Sequence, residues 1–333
     1  MAGTVVVTGG AGYVGAHVCL VLAEHGYRPV VVDDLSTGHR EAARFGPFER
    51  LDVTADGLPA VLARHAPVAV VHAAALSDVA ESFARPELYR RVNVAGTANV
   101  VSACRSTGVP RLVLLSSAAV YGPADAWPIA EDAPLRPISP YGESKLAAER
   151  CLAELCSGGS GLAWAALRLF NVAGAAPGAG IGEDHAVERH LVPLAIRAAL
   201  GTGDALRVFG AGHATADGTA VRDYVHVLDV AEAVRAAIAY LGDGGAPRAF
   251  NIGSGTGTSV LQVVAAVERA AGLPVKRTLE AARPGDPAAL VAGIGLARRV
   301  LGFRPLRSGI DAVVGDALEW ESRARAPAAR STG

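Results

Sequence analysis

The stretch from residue 4 to residue 34 constrains the fold of this chain more than any other segment. It opens with a β-branched run, Thr4 to Thr8, which is typical of a buried strand. A glycine-rich turn and an apolar segment compatible with a helix follow, and a second short strand, Val30 to Val32, ends on Asp33. This order predicts a βαβ unit whose first turn can cradle a pyrophosphate, because glycine permits a tight turn and a close approach of the backbone.

The glycines of this turn fit two related patterns. Gly10, Gly12 and Gly15 match GxGxxG, whereas Gly9 with Gly12 and Gly15 matches TGxxGxxG. Asp33 lies about 20 residues further on, at a strand tip where a carboxylate can accept hydrogen bonds from a ribose. The strand before the turn and the helix after it favour dinucleotide binding over a purely structural glycine turn.

The composition argues against several classes of function. The chain has 333 residues and a formal net charge of -1, so it lacks the basic character that nucleic-acid binding needs. No segment reaches the roughly 18 uninterrupted apolar residues of a membrane span, and we expect no signal peptide, because the N-terminus leads straight into a strand. The cysteines show no metal-like spacing. We therefore expect reduced thiols and a cytoplasmic protein.

Strands and helices alternate from the opening unit to about residue 170, and they include a long helix predicted from Glu87 to Ser106. Such alternation predicts an α/β fold of the Rossmann type, a doubly wound parallel sheet with a ligand crevice at the carboxyl ends of its strands. The looser pattern of the later chain predicts a smaller C-terminal α/β substrate domain. The expected domains are residues 1–170 for the dinucleotide, with strands and a helix from about 221–252 returning to it, residues 171–325 mainly for the substrate, and a tail at 326–333.

A second constellation is the YGESK sequence from Tyr141 to Lys145. Ser139 and Pro140 predict that a helix begins there, so Tyr141 and Lys145 share one helical face, one turn apart. A phenol with a pKa of about 10 is a poor base at neutral pH, but a nearby ammonium group and a helix N-terminus favour the phenolate. Tyr141 could then exchange a proton with a substrate hydroxyl group while hydride leaves the same carbon. The alternative, a surface helix that carries both residues by chance, is weakened by the glycine turn upstream.

Ser117 is the third candidate of this group. It ends a predicted strand, where its hydroxyl group can donate a hydrogen bond to a sugar oxygen and orient the tyrosine. Ser116 is the competing candidate, and a simple turn serine is the remaining alternative.

The histidines give no sign of a metal site. His72 lies at a strand end, and His185, His190, His213 and His226 are scattered over predicted loops and strand ends. We expect no metal, and satisfied polar contacts for most of these side chains.

Two arginines of the later chain are candidate anion binders. Arg222 and Arg283 each lie in a short turn or strand motif, and the planar guanidinium group suits a diphosphate because it can bind two oxygens at once. The alternative is a surface ion pair with the neighbouring Asp223 or Asp286.

Together, these motifs closely resemble those of the extended short-chain dehydrogenases and, among them, those of the UDP-glucose 4-epimerases. The resemblance extends to about Trp320. The nucleotide motifs are shared by many relatives, whereas DGTAVRDYVHV together with RPGDPAALVA is more specific to the epimerases. The matching segments are TGGAGYVG (8–15), VVDDLSTG (31–38), HAAALSDVAES (72–82), NVAGT (93–97), SSAAVYG (116–122), SPYGESK (139–145), RLFNVAGA (168–175), GED (182–184), HLVPLA (190–195), DGTAVRDYVHVLDVAEA (217–233) and RPGDPAALVA (283–292).

By position, the resemblance implies NAD as the cofactor and a UDP-sugar as the substrate. Ser117, Tyr141 and Lys145 would be catalytic, Tyr141 and Lys145 would also contact the cofactor, and Ser117 and Tyr141 the substrate. The other residues implied to bind NAD are Gly9, Gly12, Tyr13, Val14, Gly15, Asp33, Asp34, Asp52, Val53, Ala73, Ala74, Ala75, Leu76, Asn93 and Phe170. The other residues implied to bind the UDP-sugar are Asn171, Leu191, Val208, Phe209, Arg222, Arg283, Asp286 and Leu290.

The implied reaction is inversion of C4 of the sugar through a 4-keto intermediate, with NAD bound tightly and the sugar held loosely. We expect a homodimer, because the predicted helices Glu87 to Ser106 and Tyr141 to Leu155 are rich in apolar residues. Leu290 occupies the position that influences acceptance of N-acetylated sugars, so other UDP-sugars stay open as substrates. Ser77 and Ala119 depart from the common lysine and threonine of the epimerases. The rival activities are nucleotide-sugar 4,6-dehydration and UDP-glucuronate decarboxylation, but the acidic residues of those relatives are replaced here by Ala118 and Ala119.

Overall fold

The computed structural model describes residues 2–124, 126–157, 161–210, 212–281 and 287–324. The strands are β1 Thr4–Thr8, β2 Arg28–Asp33, β3 Phe48–Arg50, β4 Ala69–His72, β5 Arg111–Ser117, β6 Ala163–Leu169, β7 Asn171–Ala173, β8 Leu206–Phe209, β9 Val221–His226, β10 Arg248–Ile252, β11 Gly257–Ser259, β12 Arg277–Glu280 and β13 Ala289–Leu290. The helices are α1 Tyr13–Glu24, α2 Leu58–His65, α3 Val79–Ala84, α4 Pro86–Tyr89, α5 Gly96–Ser106, α6 Pro140–Leu155, α7 Leu191–Leu200, α8 Val227–Gly242, α9 Val260–Ala271, α10 Gly295–Leu301 and α11 Ile310–Ala324.

A parallel sheet of seven strands, in the order β10-β6-β5-β4-β1-β2-β3, forms the centre of the fold. Its strands are aliphatic on both faces because helices cover both sides. On β1, Val5 and Val7 pack into the core beneath α1 and α8, whereas Val6 points to the opposite core beneath α2, α5 and α6. The predicted α/β fold of the Rossmann type is confirmed.

The strand order places a crevice at one edge of this sheet. The chain leaves β1 towards β2 and β3, and then returns to β4 on the other side of β1. The chain therefore runs in opposite directions across the sheet after β1 and after β4, and ligands of doubly wound sheets bind at the carboxyl ends of such strands. The glycine turn and the segment Ala73 to Leu76 meet at this point.

The later chain builds two smaller sheets around a separate apolar core. In one sheet β9 lies between β11 and β13 and also pairs with β7, and the other joins β8 to β12. Residues of α7, α9 and α11, among them Val192, Val263 and Val313, fill the core beside them. Of the segment predicted to return to the large sheet, β10 does so, whereas β9 does not, because it pairs with these short strands.

The predicted helix from Glu87 to Ser106 is interrupted by wider turns. A π-helical stretch at residues 90–95 separates α4 from α5 and contains Asn93, whose side chain is buried. Wide turns of this kind are frequent at functional sites. No helix in the described parts of the chain is long and apolar enough to cross a membrane.

Candidate active site

The glycine turn after β1 is held against the loop after β4. Gly9 has a φ of +70°, and a Cβ atom there would lie 2.5 Å from the backbone nitrogen of Ala74. A Cβ atom on Gly15 would collide with the Gly9 carbonyl group, so the helix can pack on the turn only with glycine there. Gly12 differs, because among the described residues the only atom near such a Cβ would be the Gly9 carbonyl oxygen, at 3.4 Å. Gly12 therefore borders open space in which a phosphate group can approach the backbone.

Helix α1 begins beside this space with backbone donors available. Its N-cap residue is Gly12, which offers no side-chain hydrogen bond, so the N–H groups of Tyr13, Val14 and Gly15 have no intrahelical acceptor. An uncapped helix N-terminus of this kind suits a pyrophosphate. The Tyr13 side chain points away from it, since its hydroxyl group donates to the carbonyl oxygen of Gly174 at 2.6 Å. Tyr13 thus offers its backbone to a cofactor, while its ring ties the turn to the later chain.

Asp33 is buried at the tip of β2, and its oxygens accept hydrogen bonds from the backbone. The donors are the N–H groups of Ala11 at 3.0 Å and Leu35 at 2.8 Å. Burial raises the pKa of Asp33, and these hydrogen bonds oppose the rise. A carboxylate has about four lone-pair sites, so Asp33 can still accept from a ribose. The neighbouring Asp34 is bonded to the Ser36 N–H group at 2.8 Å.

The far end of the crevice is formed by the segment after β3. The Asp52 carboxylate caps this turn by accepting from the Thr54 N–H and hydroxyl groups, both at 2.8 Å. Val53 is buried, and its carbonyl oxygen accepts a hydrogen bond from Asn99 at 2.7 Å. These contacts fix the backbone at the position where the resemblance implies an adenine.

Asn93 joins the cofactor side of the crevice to α6. Its side chain accepts from the N–H group of Leu76 at 2.8 Å and donates to the Leu76 carbonyl oxygen at 3.0 Å. The same amide donates to the Ser144 hydroxyl group at 2.9 Å. The buried Asn93 side chain thus connects the loop after β4 to the helix that carries Tyr141 and Lys145. Both amide N–H groups are engaged, and only the carbonyl oxygen could accept a further bond.

Ser117, Tyr141 and Lys145 come together where β5 ends and α6 begins. Ser139 caps α6 by accepting the Gly142 N–H group at 3.1 Å, as the sequence predicts. Burial raises the pKa of Tyr141, and a hydrogen bond with the Ser117 side chain opposes the rise. Burial lowers the pKa of Lys145 to about 8, against the charge of Glu149, and its ammonium group donates to the Leu115 carbonyl oxygen at 2.7 Å.

The expected lowering of the Tyr141 pKa is therefore wrong for the protein's own groups. The phenol is buried, and burial outweighs the hydrogen bond with Ser117. Lys145 keeps its position one turn along α6, but its ammonium group is held at the end of β5 through the Leu115 carbonyl.

Ser116 and Ser117 point to opposite sides of β5, which separates the two candidates. Ser116 donates to Glu149, and Glu149 forms a buried ion pair with Arg168 at 2.9 Å. Arg168 also donates to the Tyr121 hydroxyl group at 2.9 Å. Sequence reasoning missed this network, although Glu149 lies one turn beyond Lys145 on α6, a spacing that could have revealed it.

Three residues implied to hold the substrate gather on the sheet around β9. Asn171 begins β7 and lies opposite Tyr224, and Leu290 lies opposite Arg222 in the pairing of β13 with β9. Arg222 donates to its neighbour's carbonyl group, that of Val221, at 2.8 Å.

Asp223 does not form the surface ion pair with Arg222 that was the alternative to anion binding. It is fully buried and accepts from backbone N–H groups of Ser254 at 2.6 Å, Gly255 at 3.0 Å and Ala292 at 3.0 Å. Asp223 therefore ties β9 to the chain after β10 and after β13. Arg283 and Asp286 lie outside the described residues.

The other residues implied to bind the substrate differ in whether their side chain or only their backbone can contact a ligand. Leu191 is the first residue of α7, and Phe209 is half-buried at the end of β8. The Val208 side chain is buried in the C-terminal core, so this residue can offer a ligand only its backbone. Phe170 is also buried, and packs with Ala118 and Tyr121 beneath the end of β5.

The expectation that the histidines do not cluster is wrong for two of them. His185 and His190 have ring centroids 5.2 Å apart, and their nitrogens face Glu183 and Glu188. His72 behaves as expected of a satisfied histidine, since Thr8 and Thr97 hold its ring nitrogens at 2.7 Å and 3.1 Å. Burial lowers the pKa of His72 to about 3.

Comparison with known proteins agrees with this geometry. Residues 5–253 match the NAD dependent epimerase/dehydratase family. A UDP-glucose 4-epimerase of Rhizobium leguminosarum bv. trifolii is 44% identical over 325 residues, which are 97% of this chain and 99% of the relative.

Solved structures of UDP-glucose 4-epimerases also match nearly the whole chain. The UDP-glucose 4-epimerase from Brucella ovis in complex with NAD is 42% identical, with a TM-score of 0.92 over 95% of this chain and 97% of that one. The enzyme from Bifidobacterium longum in complex with NAD+ and UDP is 32% identical, with a TM-score of 0.90 over 96% of this chain and 98% of that one. Family match, relatives and fold agree, and the chain belongs to the NAD dependent epimerase/dehydratase family.

Proposed function

We propose that this protein is a UDP-glucose 4-epimerase, which interconverts UDP-glucose and UDP-galactose by transient oxidation of C4. The observation that carries the proposal is the meeting of Ser117, Tyr141 and Lys145 at the end of β5, beside the crevice of the glycine turn. The near full-length similarity to UDP-glucose 4-epimerases supports the same assignment.

The crevice offers hydrogen-bonding groups that suit NAD. The uncapped N-terminus of α1 and the open side of Gly12 would take the pyrophosphate, and Asp33 would take the adenosine ribose. The two acids at the tip of β2, Asp33 and Asp34, would repel a 2′-phosphate, so NAD is favoured over NADP. When bound, NAD supplies the acceptor and donor for the hydrogen of the sugar C4.

The residues of the chain handle the proton and the charge. Tyr141 takes the proton of the sugar 4-hydroxyl group and later returns it, as a general base and then a general acid. Ser117, whose side chain opposes the rise in the Tyr141 pKa, orients the phenol and donates to the sugar oxygen. Lys145 places a positive charge next to the developing phenolate.

Inversion needs a firm hold on UDP and a loose hold on the sugar. We infer that the sheet around β9, with Asn171, Arg222 and Leu290, and the start of α7 at Leu191 hold the nucleotide. Arg283 and Asp286 are proposed as further contacts from the resemblance alone. The 4-keto sugar can then turn to present its other face before C4 is reduced again.

A nucleotide-sugar dehydratase or decarboxylase is the nearest rival. Water elimination needs a further acid and base beside the tyrosine. The two residues that follow Ser117 are Ala118 and Ala119, which transfer no protons, and Ala118 is buried among apolar side chains. The chain therefore lacks the proton donors that such a reaction would use at this position.

The experiment that tests the proposal uses a panel of UDP-sugars. Purified protein is incubated separately with UDP-glucose, UDP-galactose, their N-acetylated forms and UDP-glucuronate, and the products are separated by chromatography. We expect UDP-glucose and UDP-galactose to be interconverted. Formation of a 4-keto-6-deoxy sugar or of a pentose would contradict the assignment.

We also propose a homodimer that forms through α5 and α6. A groove beside α6 is lined by Val94, from the π-helical stretch that precedes α5, and by Leu146, Ala147, Arg150 and Glu154 of α6. Ala147→Arg should place an unpaired charge in such an interface. Light scattering should give twice the mass of the 33.8 kDa chain for the parent and a single chain for the variant; equal masses for both would contradict it. We also propose a cytoplasmic location, because the cysteines form no disulfide in the described parts of the chain.

A further inference from the structure

A cluster of two glutamates and two histidines lies directly before Leu191, and the proposed mechanism uses none of these four side chains. Glu183, His185, Glu188 and His190, referred to below as the Glu–His cluster, lie in the segment that leads into α7. One nitrogen or oxygen atom from each of them can be chosen so that all four lie within 4.8 Å of one another. Their side chains converge from a stretch of eight residues, which can occur only because this loop turns back on itself.

The spacing of these atoms suits a tetrahedral metal ion. His190 Nδ1 lies 2.7 Å from Glu183 Oε1 and 3.0 Å from Glu188 Oε1. His185 Nδ1 lies 3.4 Å from Glu183 Oε1 and 3.6 Å from Glu188 Oε2. With metal–ligand bonds of 2.0–2.2 Å, tetrahedral geometry requires donor atoms about 3.3–3.6 Å apart. Small side-chain movements would therefore place one ion in contact with four ligands.

Two atoms of the cluster, Glu188 Oε2 and His185 Nδ1, are buried without a hydrogen-bond partner among the described residues. The Glu188 side chain is 1% exposed. Its Oε1 accepts the N–H groups of Arg189 and His190 at 2.8 Å and 2.9 Å, whereas its buried Oε2 has no hydrogen-bond partner. Arg197 approaches Oε2 only to 3.8 Å. A buried carboxylate oxygen without a partner is costly, and a cation bound between Glu188 and His185 would remove that cost.

The backbone that carries the cluster is already fixed. The Trp320 indole N–H group donates to the carbonyl oxygen of Glu183 at 2.9 Å. The His39 ring contacts the carbonyl oxygen of Asp184 at 3.0 Å. Metal sites gain affinity when groups outside the ligands hold them in place, and both contacts do so here.

We propose that Glu183, His185, Glu188 and His190 bind a divalent transition-metal ion of the Zn²⁺ class. Two imidazole nitrogens and two carboxylate oxygens form a mixed N/O set, which suits Zn²⁺ and related ions better than Mg²⁺ or Ca²⁺. The ion would neutralise the two carboxylates. It would also stiffen the segment between the glycine turn, whose Tyr13 lies near both glutamates, and the start of α7.

The test is metal titration of the full chain after treatment with a chelator. Isothermal titration calorimetry with ZnCl₂ should show one ion bound per chain, and thermal unfolding in the presence of Zn²⁺ should give a higher Tm. His185→Gln and Glu188→Gln should each weaken binding about tenfold or more, since even the loss of a residue that only supports a ligand costs about 10–100-fold. His25→Gln is the matched control, because it changes another His–Glu pair, His25 with Glu232, and should bind as the parent does.

Two control measurements exclude misfolding of the variants and zinc binding by cysteine thiols as explanations. Circular dichroism of the metal-free variants shows whether they fold; if Glu188→Gln does not, His185→Gln decides, because its side chain is 28% exposed. Zn²⁺ also binds thiols, so the titration is repeated with Cys151→Ser/Cys156→Ser, whose binding should be unchanged. Absence of binding, binding unaffected by the cluster variants, or binding lost with the two thiols would overturn the proposal.

The pH dependence gives an independent readout. Imidazole and carboxylate groups bind a metal ion only in their deprotonated forms, so the affinity of the cluster for Zn²⁺ should fall as the pH is lowered. Tyr13, Asp184 and Arg197 also face the cluster and are retained in every variant. An affinity that does not change with pH would contradict coordination by His190.

Discussion

Glu149→Gln should weaken the fold and shift the pH dependence of the reaction together. The Glu149 and Arg168 side chains are 9% and 6% exposed and form two close contacts, Nη2 to Oε2 at 2.9 Å and Nε to Oε1 at 3.1 Å. Removing one partner of such a buried pair leaves the other charge uncompensated and costs about 3–5 kcal/mol. Domains of this kind are stable by roughly 5–15 kcal/mol, so the variant should still fold, at reduced stability.

The effect on activity follows from the position of Lys145, one turn before Glu149. Burial lowers the pKa of Lys145 to about 8, and the charge of Glu149 opposes that fall. Without the carboxylate the Lys145 pKa should fall further, so less of the lysine is charged at pH 8. If the charged form supports the Tyr141 phenolate, the alkaline limb of the rate profile should move to lower pH.

The assays are urea unfolding and initial rates of epimerisation across pH. Glu154→Gln is the matched control, because it lies on the same helix but is exposed; it should change stability by less than about 0.5 kcal/mol. An unfolding free energy for Glu149→Gln equal to that of this control, with an unmoved alkaline limb, would refute the reasoning.

Further predictions concern the proposed catalytic group and the cofactor. Tyr141→Phe should lower turnover by about 10²–10⁴-fold and leave NAD binding intact; turnover within a few-fold of the parent would exclude Tyr141 as the acid and base. Lys145→Met should lower turnover and move the optimum to higher pH, whereas Lys145→Arg should rescue it only in part. Ser117→Ala should lower turnover more than it lowers stability, while Ser116→Ala should chiefly lower stability, because Ser116 bonds to Glu149. Protein denatured after purification should release NAD; release of NADP would contradict the role given to Asp33 and Asp34.

The elements that sequence predicts best are those whose signals are local. The run Thr4–Thr8 is β-branched and lies buried as β1, and Ser139 with Pro140 marks the start of α6 through a cap contained within four residues. The glycine turn is similar, since Gly9 and Gly15 have steric requirements that only glycine meets.

The features that sequence did not predict depend on distant contacts. Strands β11 and β13 are three and two residues long, too short to show a period, and they exist through pairing with β9. Its position in the sequence suggests that Asp223 forms an ion pair with Arg222, yet its carboxylate accepts hydrogen bonds from backbone N–H groups far along the chain. The side chain of Val208 points into the C-terminal core because of the register of β8, which no local pattern reveals.

The most direct test of the central claim follows the hydrogen at C4 of the sugar. UDP-galactose labelled with deuterium at C4 is incubated with the purified protein in ordinary water, without added cofactor, and the UDP-glucose formed is analysed by mass spectrometry and NMR. The account predicts that deuterium returns to C4 and that no NADH accumulates. Deuterium replaced by solvent hydrogen at C4 would contradict it, because that result requires removal of C4–H as a proton.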